Sequence, residues 1–119
     1  MKSPPEPARL HTILDVHVVA AELSVEASSA ESGHAARTIV RESDLSVLVT
    51  AMRPGAVIAN HRAMATAVVQ VVRGRIRIEM PEQSLELAAG QIVALERAVA
   101  HEVRAIETSA FVVTLARPR

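Results

Sequence analysis

The sequence predicts an all-β domain, a barrel or sandwich of about nine short strands, preceded by one helix. The chain has 119 residues, half of them hydrophobic, which suits one domain with a substantial core. The apolar residues are mostly aliphatic, and the β-branched Val and Ile among them favour strands. Turn signals recur from residue 37 onward at roughly 8–12-residue intervals, which is typical of all-β folds. We therefore expect a poorly ordered tail over residues 1–7, a helix and linker over 8–36, and a barrel domain over 37–119.

The helix is predicted within residues 8–27, where apolar side chains recur at three- and four-residue spacing. Thr12 is predicted to cap its N-terminus, with Asp15 three residues later in a capping-box-like arrangement. A helix of about 20 residues is marginal in water on its own, so it must pack against another surface. That surface is either the outside of its own barrel or a partner subunit, and the sequence leaves both open.

The strands are predicted from alternation and from the turns that separate them. Ile76 and Ile78 alternate with Arg77 and Glu79, so one face of that strand is apolar and the other charged. Gly74 marks a tight turn before this strand, since glycine tolerates positive φ. The predicted strands cover residues 38–42, 45–52, 57–61, 66–72, 75–80, 85–87, 91–95, 101–106 and 110–116.

Composition excludes several classes of function. Thirteen basic and thirteen acidic residues cancel, and the chain has no Trp or Tyr. It therefore lacks both the positive field and the stacking rings that nucleic-acid binding uses. It has no Cys, which excludes disulfides and thiolate ligands and is compatible with the cytoplasm. No apolar run approaches the roughly 20 residues of a membrane span, so we expect no membrane partner.

Glycines and a histidine in the middle of the chain resemble the first conserved motif of the cupin superfamily. That motif has Gly, five residues, His-x-His, three or four residues, Glu, six residues and Gly. Here Gly55 is followed by five residues and His61, and Gly74 ends the motif. Ala63 replaces the second His and Ala67 replaces the Glu.

A later segment resembles the second cupin motif, which has Gly, five residues, Pro-x-Gly, two residues and His. Gly90 and His101 keep this spacing, whereas Glu96 stands for the Pro and Ala98 for the second Gly. The resemblance covers roughly residues 37–116. It implies a cupin-type jelly-roll barrel, a double-stranded β-helix, behind the N-terminal helix, and it implies a homodimer.

The resemblance also implies a site in which part of the usual ligand set is missing. Typical metal-dependent cupins hold a divalent ion with three His and one Glu. His61 and His101 match two of those positions, while Ala63 and Ala67 offer no lone pair. Gln70 is no substitute for the Glu, because alternation turns it to the opposite face from Ala67. We therefore expect no cofactor, with a weakly bound divalent transition metal as the alternative.

The two alanines predict a roomier, more apolar barrel mouth between His61 and His101. A concave apolar pocket with a few polar groups is the usual ligand site of a small barrel. Ala63, Ala67 and three methionines are predicted to line it, with ordinary core packing as the alternative for each methionine. These methionines are Met52, Met64 and Met80.

Three functions follow. The first is a non-enzymatic cupin that binds a small, largely apolar molecule. The second is a metal-dependent dioxygenase or isomerase, in which water or substrate completes a site at His61 and His101. The third is a structural or interaction homodimer whose barrel is filled by its own side chains. The remaining histidines, His11, His17 and His34, are expected on the surface or on a helix face.

Overall fold

The computed structural model describes residues 6–61 and 64–117, with the side chains of residues 60 and 61 excepted. Within these ranges the chain forms one helix followed by nine strands, as the sequence predicts. No helix in the described part of the chain is long and apolar enough to cross a membrane. The elements are α1 Val16–Ser29, β1 His34–Arg41, β2 Leu45–Met52, β3 Val57–His61, β4 Ala67–Arg73, β5 Arg75–Glu79, β6 Ser84–Ala88, β7 Ile92–Leu95, β8 His101–Ala105 and β9 Ser109–Ala116.

The helix begins later than predicted, because Asp15 rather than Thr12 caps it. The Asp15 carboxylate accepts hydrogen bonds from the backbone N–H groups of His17 and Val18, at 2.9 and 3.3 Å. These N–H groups lie in the first turn and have no carbonyl partner within the helix, so the carboxylate satisfies them. The prediction of Thr12 as the cap is wrong, since Thr12 lies in irregular chain three residues before Asp15.

The helix packs on the outer face of its own barrel. The sequence had left open whether it packs there or on a partner subunit. Leu23 and Ala27 are buried there against Val49 of β2 and Ala110 of β9. Full burial of a leucine side chain stabilises a fold by roughly 1.5–3 kcal/mol. The helix is thereby held to the larger sheet by aliphatic contacts.

Arg53, directly after β2, ties the end of the helix to the barrel. Its Nη1 donates to the backbone carbonyls of Ala30 and Ser28, at 2.8 and 3.3 Å, and its Nη2 donates to that of Glu31 at 3.4 Å. The last carbonyls of a helix have no partner within it and carry a partial negative charge. The guanidinium gives the Ser28 carbonyl of the last turn a partner and adds to the hydrogen bond that the Gly33 N–H donates to the Ala30 carbonyl just beyond the helix. These contacts fix where the chain leaves the helix.

Two antiparallel sheets face each other. The larger has the order β1-β2-β9-β4-β7 and the smaller β3-β8-β5-β6. Strand β1 begins at His34, three residues before the boundary predicted at residue 37. The chain turns into β1 at Gly33, whose φ is +79° and whose carbonyl accepts the N–H of Arg53 at 2.9 Å. Residues 34–36 therefore belong to the larger sheet.

Aliphatic side chains fill most of the space between the sheets. Val71, Ile76 and Ile78 are fully buried there, together with Phe111, the one aromatic residue of the chain. The turn between β4 and β5 passes close to β9, so that a Cβ at Gly74 would collide with the carbonyl oxygen of Thr108. With a φ of +77° as well, Gly74 satisfies both conditions that make glycine necessary at this turn.

Candidate functional site

A cavity of about 350 Å³ lies between the two sheets, and we call it the inner cavity. Its described lining comes from both sheets and contains three polar side chains, those of His34, Thr50 and His101. All other described lining side chains are apolar, among them Leu48, Ile58, Val69, Val103, Phe111 and Val113.

His101 lies at the start of β8 and is buried, with 6% of its surface exposed. Alternation along β8 turns His101 and Val103 inward and places Glu102 and Arg104 outside, where they form an ion pair at 3.6 Å. The His101 Nδ1 lies 3.2 Å from the backbone carbonyl of Val99, to which it donates in the tautomer that protonates Nδ1. This contact orients the ring.

The histidine of the first motif lies beside that of the second. Strand β3 pairs with β8 so that His61 is opposite His101 in the register. The backbone therefore brings the two motif histidines to neighbouring positions, as the motif spacing requires. The side chain of His61 and the whole of Ala63 lie outside the described residues.

Ala67 lies where the sequence places it. It is the first residue of β4, is buried and lines the inner cavity together with His101. Gln70, on the same strand, is exposed, so the predicted alternation is confirmed and the glutamine does not replace the missing motif Glu.

The methionines are distributed differently from the prediction. Met52 is buried within the core cluster between the sheets and Met64 is 77% exposed; neither lines the inner cavity. Met52 is packed by its neighbours at the end of β2, and Met64 lies after β3 in a segment outside the sheets. Met80 is half-buried and lines a second, more open hollow of about 480 Å³, the outer hollow.

The outer hollow adjoins the inner cavity at the β5–β6 end of the barrel. Both are lined by Leu95 and His101, while Glu82 and Glu96 contribute to the lining of the outer hollow alone. His101 thus contacts both spaces, and the outer hollow is the more polar of the two.

Sequence reasoning missed His34 and Thr50. His34 was expected on the surface or on a helix face; it is half-buried at the start of β1, whose inward-facing positions include His34 and Ala36. Thr50 shares the inward face of β2 with Leu48. The alternation of residues 34, 36 and 38 would have placed His34 inside if the start of the strand had been predicted correctly.

The described residues supply one of the two motif histidine side chains, that of His101, since the side chain of His61 lies outside them. They contain no group of three or more His, Cys, Asp or Glu side chains arranged to hold an ion. Ala67 occupies a position at which the motif expects a carboxylate, and a methyl group donates no electron pair. Catalytic zinc sites, for comparison, keep three protein ligands.

No protein-family model matches the sequence, and no curated protein matches it either. Solved structures do. A conserved Streptococcus pyogenes protein of unknown function is similar over 99% of this chain and 97% of its own, with a TM-score of 0.74 and 20% identity.

Two further similar structures carry more specific names. A cupin superfamily protein of Desulfitobacterium hafniense has a TM-score of 0.70 and 9% identity over 77% of this chain and 87% of its own. A salicylate 1,2-dioxygenase of Pseudaminobacter salicylatoxidans has a TM-score of 0.72 and 17% identity over 82% of this chain and 33% of its own. At these identities the likeness shows the fold.

Proposed function

We propose that this chain, which has the jelly-roll fold of the cupins as its sequence predicts, binds a small, largely apolar organic molecule without a tightly held metal. The observation that carries the proposal is the inner cavity of about 350 Å³, lined by aliphatic side chains with a few polar groups. Pockets for small molecules typically have this composition.

The size and chemistry of the inner cavity bound the ligand. Ligand pockets range over about 300–1,000 Å³, so a cavity of about 350 Å³ suits a compact molecule with one ring or a short branched chain. Each square ångström of apolar surface that the ligand buries contributes about 25 cal/mol. Removing that surface from water is the main driving force for binding.

Methyl NMR tests this proposal directly. Propylbenzene, a compact apolar probe, is titrated into protein with ¹³C-labelled methyl groups. The inner-cavity methyl signals of Ile58, Val69 and Val103 are expected to shift saturably. Those of Val25 and Ile92, which are 71% and 61% exposed on the outside of the molecule, serve as controls and are expected to stay. Inner signals that remain unshifted up to the solubility limit would refute the proposal.

A metal-dependent dioxygenase or isomerase is the second candidate. The register that places His61 opposite His101 favours it, and a dioxygenase is among the proteins of similar fold. In that case water or substrate would complete the coordination. Elemental analysis of the purified protein after incubation with Fe, Mn, Ni and Zn tests it. One equivalent of metal, lost in both His61→Ala and His101→Ala, would establish the metal site and overturn the metal-free proposal.

A homodimer is part of the proposal. Large apolar side chains are exposed on the outside of the larger sheet and on the helix, among them Ile92, Val18 and Val25, and exposed apolar surface favours association. Sedimentation velocity should give a dimer, whereas a monomer at 100 µM would contradict it.

A purely structural dimer with a filled barrel is disfavoured by the inner cavity. The cytoplasm is the proposed location, with which the absence of Cys is compatible.

A further inference from the structure

The hydroxyl of Thr50, in the lining of the inner cavity, has no hydrogen-bond partner among the described residues. Thr50 is 97% buried, at 3% exposure, and its side chain lines the inner cavity. The hydroxyl is not fully enclosed by protein either, because the fully enclosed unpaired side-chain atom among the described residues is Ser24 Oγ. Valine has nearly the same shape and no polar atom, so it would fill this position without leaving a hydroxyl unpaired. The hydroxyl therefore points to a partner that occupies the cavity.

His34 lies beside Thr50 on the same wall of the cavity. In the β1–β2 register Ala36 is opposite Thr50 and His34 is opposite Met52, so His34 and Thr50 are diagonal neighbours on the inward face. The backbone N–H and carbonyl of His34 both contact Ser32 Oγ, at 3.3 and 3.2 Å. Its imidazole makes no hydrogen bond to a residue that the structure describes, and it lines the cavity.

The hydrogen-bonding groups of the lining select the kind of ligand. No Asp, Glu, Lys or Arg is among the described residues that line the inner cavity, so an ammonium group would find no anion there and a carboxylate would be held by hydrogen-bond donors alone. A hydroxyl and an imidazole both donate hydrogen bonds, and the oxygens of a carboxylate accept them. Hydrogen bonds to a charged acceptor are stronger than those between neutral groups.

We propose that His34 and Thr50 form an anchor for a carboxylate, and that the ligand is a compact organic acid with an apolar body. The inference rests on the proposed function and adds the class of ligand. Facing sheets lie about 10 Å apart, so the apolar body extends from the anchor on the larger sheet toward His101 on the smaller one. The carboxylate therefore binds on the opposite sheet from the histidines of the two motifs.

Calorimetry with three probes of matched shape tests the anchor. The probes are 3-phenylpropanoate, 3-phenylpropylamine and propylbenzene. The wild-type protein is expected to bind the acid about tenfold or more tightly than the amine. Thr50→Val and His34→Leu are each expected to weaken binding of the acid about tenfold relative to binding of propylbenzene.

Two control variants isolate the hydroxyl. Thr50→Ser keeps it and should retain acid binding within a few-fold. Thr114→Val makes the same change on β9, at a half-buried residue that does not line the inner cavity, and should leave all three affinities unchanged. Circular dichroism checks that each variant is folded.

The outcomes separate the two proposals. If the amine binds as tightly as the acid, or if Thr50→Val and His34→Leu leave the acid's affinity relative to that of propylbenzene within twofold, the anchor is wrong and the apolar pocket stands. If no probe binds the wild-type protein, both the anchor and the proposed function are overturned.

Discussion

Replacing Ala67 with leucine distinguishes an open ligand cavity from a filled barrel by the sign of the stability change. Ala67 is buried and lines the inner cavity. The substitution adds three carbon atoms on the cavity side of β4. If the cavity is open, these atoms leave water and fill empty space. If the barrel is filled by its own side chains, the same atoms overpack the core.

The two cases differ by several kcal/mol. Burial contributes about 0.8 kcal/mol per methylene-sized group, so filling an open cavity is expected to stabilise Ala67→Leu by about 2 kcal/mol. Overpacking a close-packed core instead costs about 1–3 kcal/mol. We expect stabilisation, together with loss of propylbenzene binding, because the added side chain occupies the space that the probe needs.

Urea unfolding followed by far-ultraviolet circular dichroism measures the change, since the chain has no Trp or Tyr to report by fluorescence. Ala21→Leu adds the same atoms at an exposed helix position and should change the free energy of unfolding by less than about 0.5 kcal/mol. Destabilisation of Ala67→Leu by 1 kcal/mol or more, or unaltered probe binding, would refute the open-cavity argument.

The remaining predictions concern the frame that holds the cavity, and the same urea unfolding measures each. Gly90 has a φ of +89° and open space around it, so Gly90→Ala should lower the free energy of unfolding by about 1 kcal/mol. Gly74→Ala should lower it by about 3 kcal/mol or more, because the added Cβ also collides with the start of β9. Equal losses for the two variants would contradict the predicted collision. Arg53→Met keeps the apolar stem but removes the hydrogen bonds to the carbonyls at the helix end and just beyond it, and should cost about 1.5 kcal/mol. No loss of stability would show that water replaces these bonds. Ala98→Gly removes the steric strain of an alanine at a φ of +65°. After subtraction of the larger chain entropy that glycine loses on folding, the variant should be more stable by about 0.5–1 kcal/mol. A less stable variant would show that Ala98 is not strained.

Local sequence signals predicted the strands well and the composition of the site poorly. Alternation and turn residues are local, and they correctly gave nine strands in order. The helix cap was misplaced because both Thr12 and Asp15 are good capping residues, and only the packing of Leu23 and Ala27 on the larger sheet selects the later start.

The lining of the inner cavity depends on contacts that are distant in sequence. Met52 and Thr50 share the inward face of β2, yet of the two only Thr50 lines the inner cavity, whereas Met52 is packed in the core cluster. The pairing of the strands decides which inward-facing side chains are packed by their neighbours and which border the cavity. His34 was missed because the start of β1 depends on the turn at Gly33 and on its hydrogen bond to Arg53. Neither fact can be read from alternation within one strand.

Ala98, which stands where the second motif has glycine, adopts a φ of +65°. This conformation costs an alanine roughly 1–2 kcal/mol. Packing of the surrounding strands must supply that energy. The loop that contains Ala98 leads into His101, whose Nδ1 contacts Val99. The frame that positions His101 in the inner cavity is therefore present in a chain that has Ala63 and Ala67 at two of the ligand positions of the first motif.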